Sequence, residues 1–155
     1  MRLTAGTLYA AVLRRAYGDL ADAVGGVPPV GLHRRLRQVC ISAIDRIDAR
    51  AAERFRGDVE PLDARAGHVP GARNRPFGAN LANGRFLPRH ALREQFEPLL
   101  GGLPPTRAIL SCGSGVTACH NLLAMEHAGL HGARIYAGSW SGWIADPARP
   151  IAVGD

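Results

Sequence analysis

The chain has 155 residues, 46% of them apolar and 21% charged, which suits one domain and excludes wholesale disorder. No apolar run approaches the roughly 18 residues that span a bilayer, and no apolar segment with a small-residue cleavage site follows the start. The net charge is +6, every basic residue is an arginine, and aromatics make up only 6%. These arginines are scattered from Arg2 to Arg149, without the clustering and stacking aromatics of a nucleic-acid binder. Anything anionic would meet the arginine-rich first half, a small anion as readily as a polymer.

Residues 4–24 place Leu8, Val12, Ala16 and Leu20 four apart, with Tyr9, Leu13 and Tyr17 alongside. That spacing predicts an amphipathic helix stopped by Gly25-Gly26. Residues 27–31, with Pro28-Pro29 inside, read as a stiff linker, and residues 32–40 as a short arginine-rich helix. Residues 1–40 therefore read as a short helical extension, and residues 41–155 as the domain proper. Residues 4–24 could also serve as a dimerisation helix, giving a homodimer.

Within the domain, residues 41–47 are mostly apolar and lead into Asp48-Ala49-Arg50. A short helical stretch carries Glu53, Arg54 and Phe55, and residues 57–67 read as a polar loop. Residues 68–77 hold two prolines and a glycine around a very short strand. Residues 88–100 predict a helix, with Pro88 in its first turn and Leu92, Phe96, Leu99 and Leu100 on its apolar face. A buried strand at 108–111, a helix at 117–127 and a strand at 133–136 follow, then Trp140 and Trp143 after a Gly-Ser turn. Strands alternating with helices predict an α/β fold, a parallel sheet with helices on both faces.

The three cysteines, Cys40, Cys112 and Cys119, are an odd number without a secretory signal. A reducing compartment, the cytoplasm, is the expectation. No CxxC or His/Cys cluster suggests zinc, and neither a metal nor a cofactor is expected. The informative segment is Cys112-Gly113-Ser114-Gly115-Val116-Thr117, a thiol at the end of a strand with two glycines and a helix start behind it. Ligand sites of open α/β sheets lie at that edge. Glycines let successive N–H groups turn inward, and the helix terminus adds its dipole. Such a cradle stabilises a thiolate, or an anion carried on the sulfur.

Residues 112–118, Cys-Gly-Ser-Gly-Val-Thr-Ala, resemble the active-site loop of rhodanese-fold sulfurtransferases, in the form typical of the 3-mercaptopyruvate enzymes. The thiosulfate enzymes usually place basic residues where Gly113 and Ser114 stand. The resemblance extends over roughly residues 44–150. It runs through Asp48-Ala49-Arg50, Arg54-Phe55-Arg56-Gly57, Glu60-Pro61, Gly67 to Ala72, Asn74, Pro76-Phe77, Tyr136 and Gly138-Ser139-Trp140.

What it implies is a persulfide relay. Cys112 takes sulfur from 3-mercaptopyruvate, or a related anionic donor such as thiosulfate. It then passes the sulfur to cyanide, a small thiol or thioredoxin. Arg54 matches the arginine that meets the substrate carboxylate, a task suited to a guanidinium fork. Arg65 is the candidate second arginine, and Ser114 is placed to shuttle a proton. Gly113, Gly115, Val116 and Thr117 complete the binding loop. Asp48 and His68 read as structural, and Cys119 as a packing residue. A phosphatase of the same fold would need Cys-x5-Arg, but the sixth residue after Cys112 is Ala118.

The sequence also departs from the pattern. The mercaptopyruvate enzymes carry a cysteine-less first domain, and the segment before residue 44 is too short to hold one. Asp45-Arg46 interrupts a strand that should be continuously apolar, and Arg75 stands where an apolar residue is usual. Ala137 and Gly142 replace acidic residues around Gly138-Ser139-Trp140. A second reading therefore stands beside the enzyme: a sulfur carrier or interaction module without turnover, or a remnant of a tandem-domain enzyme.

Overall fold

The structure is a computed structural model that describes residues 46–155. The helices expected over 4–24 and 32–40, the linker, the start of the domain and Cys40 lie outside the described residues. In chain order the first half contains β1 (Arg46–Asp48), α1 (Ala52–Arg56), β2 (Ala72–Asn74), a 3-10 turn (Phe77–Asn80), β3 (Leu81–Ala82) and β4 (Arg85–Phe86). The second half contains α2 (Arg89–Leu100), a 3-10 turn (Pro105–Arg107), β5 (Ile109–Ser111), α3 (Ala118–His127), β6 (Arg134–Ile135) and α4 (Ser139–Ile144).

The sheet runs β2-β1-β5-β6, with every neighbouring pair parallel. Ile47 of β1 lies opposite Arg73 and Leu110, and Leu110 lies opposite Ile135. Side chains alternate across a strand. Ile47 therefore joins the core with Leu92, Phe96 and Leu100 of α2, Leu110 of β5, and Ala118, Ala124 and Met125 of α3. Each large side chain fully buried in this way contributes about 1.5–3 kcal/mol.

Arg46 and Asp48 face the other side of β1, where they meet α4 and Arg50. The Arg46 guanidinium lies over the Trp143 ring, 5.0 Å from its centroid, and Asp48 receives Arg50. The charged strand thus buries partnered groups, and helices cover both faces as the sequence predicts.

Helix α2 carries its apolar residues four apart at Leu92, Phe96 and Leu100, all buried. Pro88 caps it from outside the first turn with extended backbone, and Gly101 ends it in the left-handed conformation. A β3-β4 hairpin, absent from the sequence expectations, closes through Asn83-Gly84. Both residues have positive φ, 52° and 71°, as a two-residue type I′ turn requires. Trp140 and Trp143, expected only after a turn, sit on helix α4.

Arg75 also finds a place. Its Nε and Nη2 donate to Asn80 Oδ1, and its guanidinium lies 5.0 Å from the centroid of Phe96. Asn80 Nδ2 donates to Asn121 Oδ1 at 2.6 Å, and Asn121 Nδ2 donates to the Arg75 carbonyl at 2.9 Å. His120 Nδ1 lies 3.2 Å from Asn80 Nδ2, with the rings of Phe77 and Phe86 against it. Burial pushes this imidazole below its ordinary value. Near the end of the chain, Ala152 pairs with His68 and the Gly154 N–H donates to the Arg56 carbonyl. Among the described residues no helix is long and apolar enough to cross a membrane.

Candidate active site

Cys112 leaves the carboxyl end of β5 and is 1% exposed. Its backbone is held from α4: the Trp140 N–H donates to the Cys112 carbonyl at 2.9 Å, and the Cys112 N–H donates to Ser139 Oγ at 3.1 Å. Ser139 pays for this position with a left-handed backbone, φ 47°, of the kind found where a site fixes geometry. The Gly115 N–H donates to Cys112 Sγ at 3.1 Å. Gly115 has φ 92°, a conformation that glycine reaches without a Cβ penalty. Of the cradle of N–H groups expected from the glycine spacing, one, that of Gly115, lies on the sulfur.

The loop is clamped on a second side. The Ser141 N–H donates to the Gly113 carbonyl at 2.9 Å. Ser141 Oγ lies 3.0 Å from that carbonyl and donates to Asp63 Oδ1 at 2.6 Å. Asp63 Oδ2 in turn accepts from Arg54 Nη2 at 3.2 Å. A Cβ placed on Gly113 would stand 3.7 and 3.8 Å from the two terminal nitrogens of Arg54 and 3.8 Å from Asp63 Oδ2. Arg54 and Asp63 thus stand directly over the residue that follows the thiol.

Behind them runs a ladder of alternating charge. Arg54 Nε and Nη2 donate to Glu60 Oε1, and Arg50 Nη1 reaches Glu60 Oε2 at 3.3 Å. Arg50 also grips both oxygens of Asp48, donates to the Gly67 carbonyl at 2.8 Å, and covers the Trp140 ring. Burial alone would raise the Glu60 carboxyl. The Arg54 hydrogen bond and the N–H groups of Leu62 and Asp63 outweigh it and hold the group below its ordinary value. A chain of ion pairs therefore runs from Asp48 of β1 to Asp63, which Ser141 joins to the Gly113 carbonyl.

Of the residues expected in the site, the structure brings together Cys112, Gly113, Gly115 and Arg54. Ser114 and Val116 are exposed on the loop, and Thr117 precedes α3. Arg65 is exposed; its carbonyl accepts the Trp140 Nε1–H at 2.8 Å, and among the described residues no hydrogen bond or ion pair joins its side chain to the cysteine loop. Cys119 is buried, with Sγ 3.6 Å from the Gly115 carbonyl, and burial and then the neighbouring Cys112 push its thiol up. His68 stacks on Phe55, centroids 3.8 Å apart, with Nδ1 2.9 Å from the Phe55 carbonyl. The sequence reading did not single out Asp63 or Ser141. Among the described residues no group of three His, Cys, Asp or Glu could hold a metal ion.

Residues 32–146 match the family described as the rhodanese-like domain. The chain belongs to this family. Among rhodanese relatives, it is 56% identical over 110 residues to the "Probable 3-mercaptopyruvate sulfurtransferase" of Pseudomonas aeruginosa, covering 70% of this chain and 39% of that one. It is 43% identical over 122 residues to SseB of Mycobacterium tuberculosis, a candidate thiosulfate sulfurtransferase by name, covering 76% and 41%. The solved structure of Tum1 from Saccharomyces cerevisiae superposes with a TM-score of 0.63 at 31% identity, covering 77% of this chain and 43% of that one. The chain thus spans about two fifths of the length of these rhodanese relatives.

Proposed function

We propose that this rhodanese domain is a sulfurtransferase that moves sulfane sulfur from 3-mercaptopyruvate, or a related donor such as thiosulfate, to a thiol or cyanide through a Cys112 persulfide. The observation that carries the reading is the Gly115 N–H on Cys112 Sγ at 3.1 Å, at the carboxyl end of β5. An oriented N–H beside a buried sulfur stabilises negative charge on it without reorganisation.

In the first half-reaction the Cys112 thiolate attacks the donor sulfur and an S–S bond forms. The C–S bond breaks, and its electron pair leaves on carbon as the pyruvate enolate. The enolate takes the proton that the donor thiol gives up, by way of Ser114, leaving pyruvate and Cys112–S–S⁻. In the second, an acceptor thiolate (a small thiol or thioredoxin) attacks the outer sulfur and Cys112 departs as thiolate. Arg54 receives the donor carboxylate, and Arg65 swings in from the loop as the second cation. Thiol acceptors of this kind suit a cytoplasmic setting.

The second reading, a carrier loaded by a partner's persulfide, is favoured by one observation. Arg54 already carries two carboxylates, Glu60 and Asp63. Pyruvate release from 3-mercaptopyruvate with a thiol acceptor, in the wild type and in Cys112→Ser, separates the two, with intact mass measured for one added sulfur. Turnover and adduct that both vanish in the variant are the expected result. An adduct without turnover would leave the carrier, and neither signal from a folded sample would overturn both.

A further inference from the structure

Resting on the sulfurtransferase reading above, one residue of the site remains without a role in it. Asp63 comes from the 57–67 loop, its side chain 12% exposed, and holds Arg54 with one oxygen and Ser141 with the other. Its Oδ2 faces Gly113 beside the Arg54 terminal nitrogens. An anionic donor that comes to Arg54 above the cysteine loop therefore arrives next to a fixed carboxylate. Glu60 on the same guanidinium lies behind it, 3% exposed and saturated by two backbone N–H groups and Arg50.

We propose that Asp63 is the specificity-determining residue of this site, a fixed negative charge that discriminates between donors by their charge. Coulomb repulsion scales with the product of the charges. A dianion such as thiosulfate meets twice the repulsion that a monocarboxylate meets at the same distance. The attraction of Arg54 doubles for the dianion as well, so the carboxylate beside it offsets the advantage that the guanidinium alone would give thiosulfate. The tether to Ser141 gives this charge its direction, because a free side chain would swing away from an incoming anion.

The test is a binding measurement on the full chain in the Cys112→Ser background, where no sulfur moves. Dissociation constants for pyruvate and thiosulfate are measured with Asp63 and with Asp63→Asn, which keeps an oxygen for Ser141 and loses the charge. Thiosulfate is expected to tighten by at least about threefold, and by clearly more than pyruvate. In the Cys112 chain the ratio of kcat/KM for thiosulfate over 3-mercaptopyruvate is expected to rise in parallel. Asp63→Ser is the second charge-free variant should the asparagine chain fail to fold. Equal gains for the two anions, weaker binding of both, or no binding of either would overturn the proposal. Charge-ordered gains from a chain without turnover would support Asp63 as a filter and remove the sulfurtransferase reading alone.

Discussion

Two buried polar clusters sit on this sheet and are built from different material. One, around Arg50 and Arg54, is made of full charges: Asp48, Glu60 and Asp63 against two guanidiniums. The other, around Asn80 and Asn121, is made of two amides, an imidazole whose pKa burial lowers, and Arg75. The charged cluster braces the loop that carries the thiol. The amide cluster ties the 3-10 turn Phe77–Asn80 and the Arg75 backbone to α3, which begins where the cysteine loop ends. Full charges act over a distance, whereas amides act through the direction of their hydrogen bonds. Division of labour follows from that difference.

The sharpest way to break the comparison is Arg50→Leu. Removing the guanidinium leaves Asp48 and Glu60 buried with lost partners, and a loss of about 4 kcal/mol in urea unfolding is expected. Alkylation of Cys112 should change as well, because Gly67 and Trp140 lose the same group. Asn121→Leu is expected to cost about 2 kcal/mol, since Asn80 and the Arg75 carbonyl are left unsatisfied. Cys112 alkylation should be nearly unaffected in that variant. An equal effect on the thiol from both would show that the clusters act as one unit.

The pH dependence of stability gives the smallest and most selective signal. His120 is held below its ordinary 6.5, so the folded chain binds fewer protons than the unfolded one. Its contribution is complete above that value and declines as pH falls through it towards the folded value. Glu60 is held below 4.5, so its contribution is complete above 4.5 and declines only at lower pH. Urea midpoints should therefore fall in two stages on acidification. His120→Gln should remove the upper stage and Glu60→Gln the lower one.

Much of this was legible in the sequence because it rests on local rules. The cysteine loop announces itself through glycine spacing, and α2 through apolar residues four apart. The Asn83-Gly84 turn carries a hairpin signal that went unused, because its strands are two residues each. Arg46 and Arg75 read as misplaced charges, since their partners, Trp143 and Asn80, are fixed only by the fold. Asp63 and Ser141 stayed hidden for the same reason. They meet across 78 positions of chain, and neither stands beside a residue that suggests chemistry.

The two tryptophans of the chain both lie on α4, one turn apart, and each keeps company with guanidinium groups. Trp140 lies under Arg50 and hydrogen-bonds the loop at Arg65; Trp143 meets Arg46 and Arg149 and hydrogen-bonds Pro150. Neither belongs to the apolar cluster between the sheet, α2 and α3. The intrinsic fluorescence of this protein is therefore a lamp hung beside the sulfur loop. Its emission reports the frame of that loop more directly than the packing between the sheet, α2 and α3.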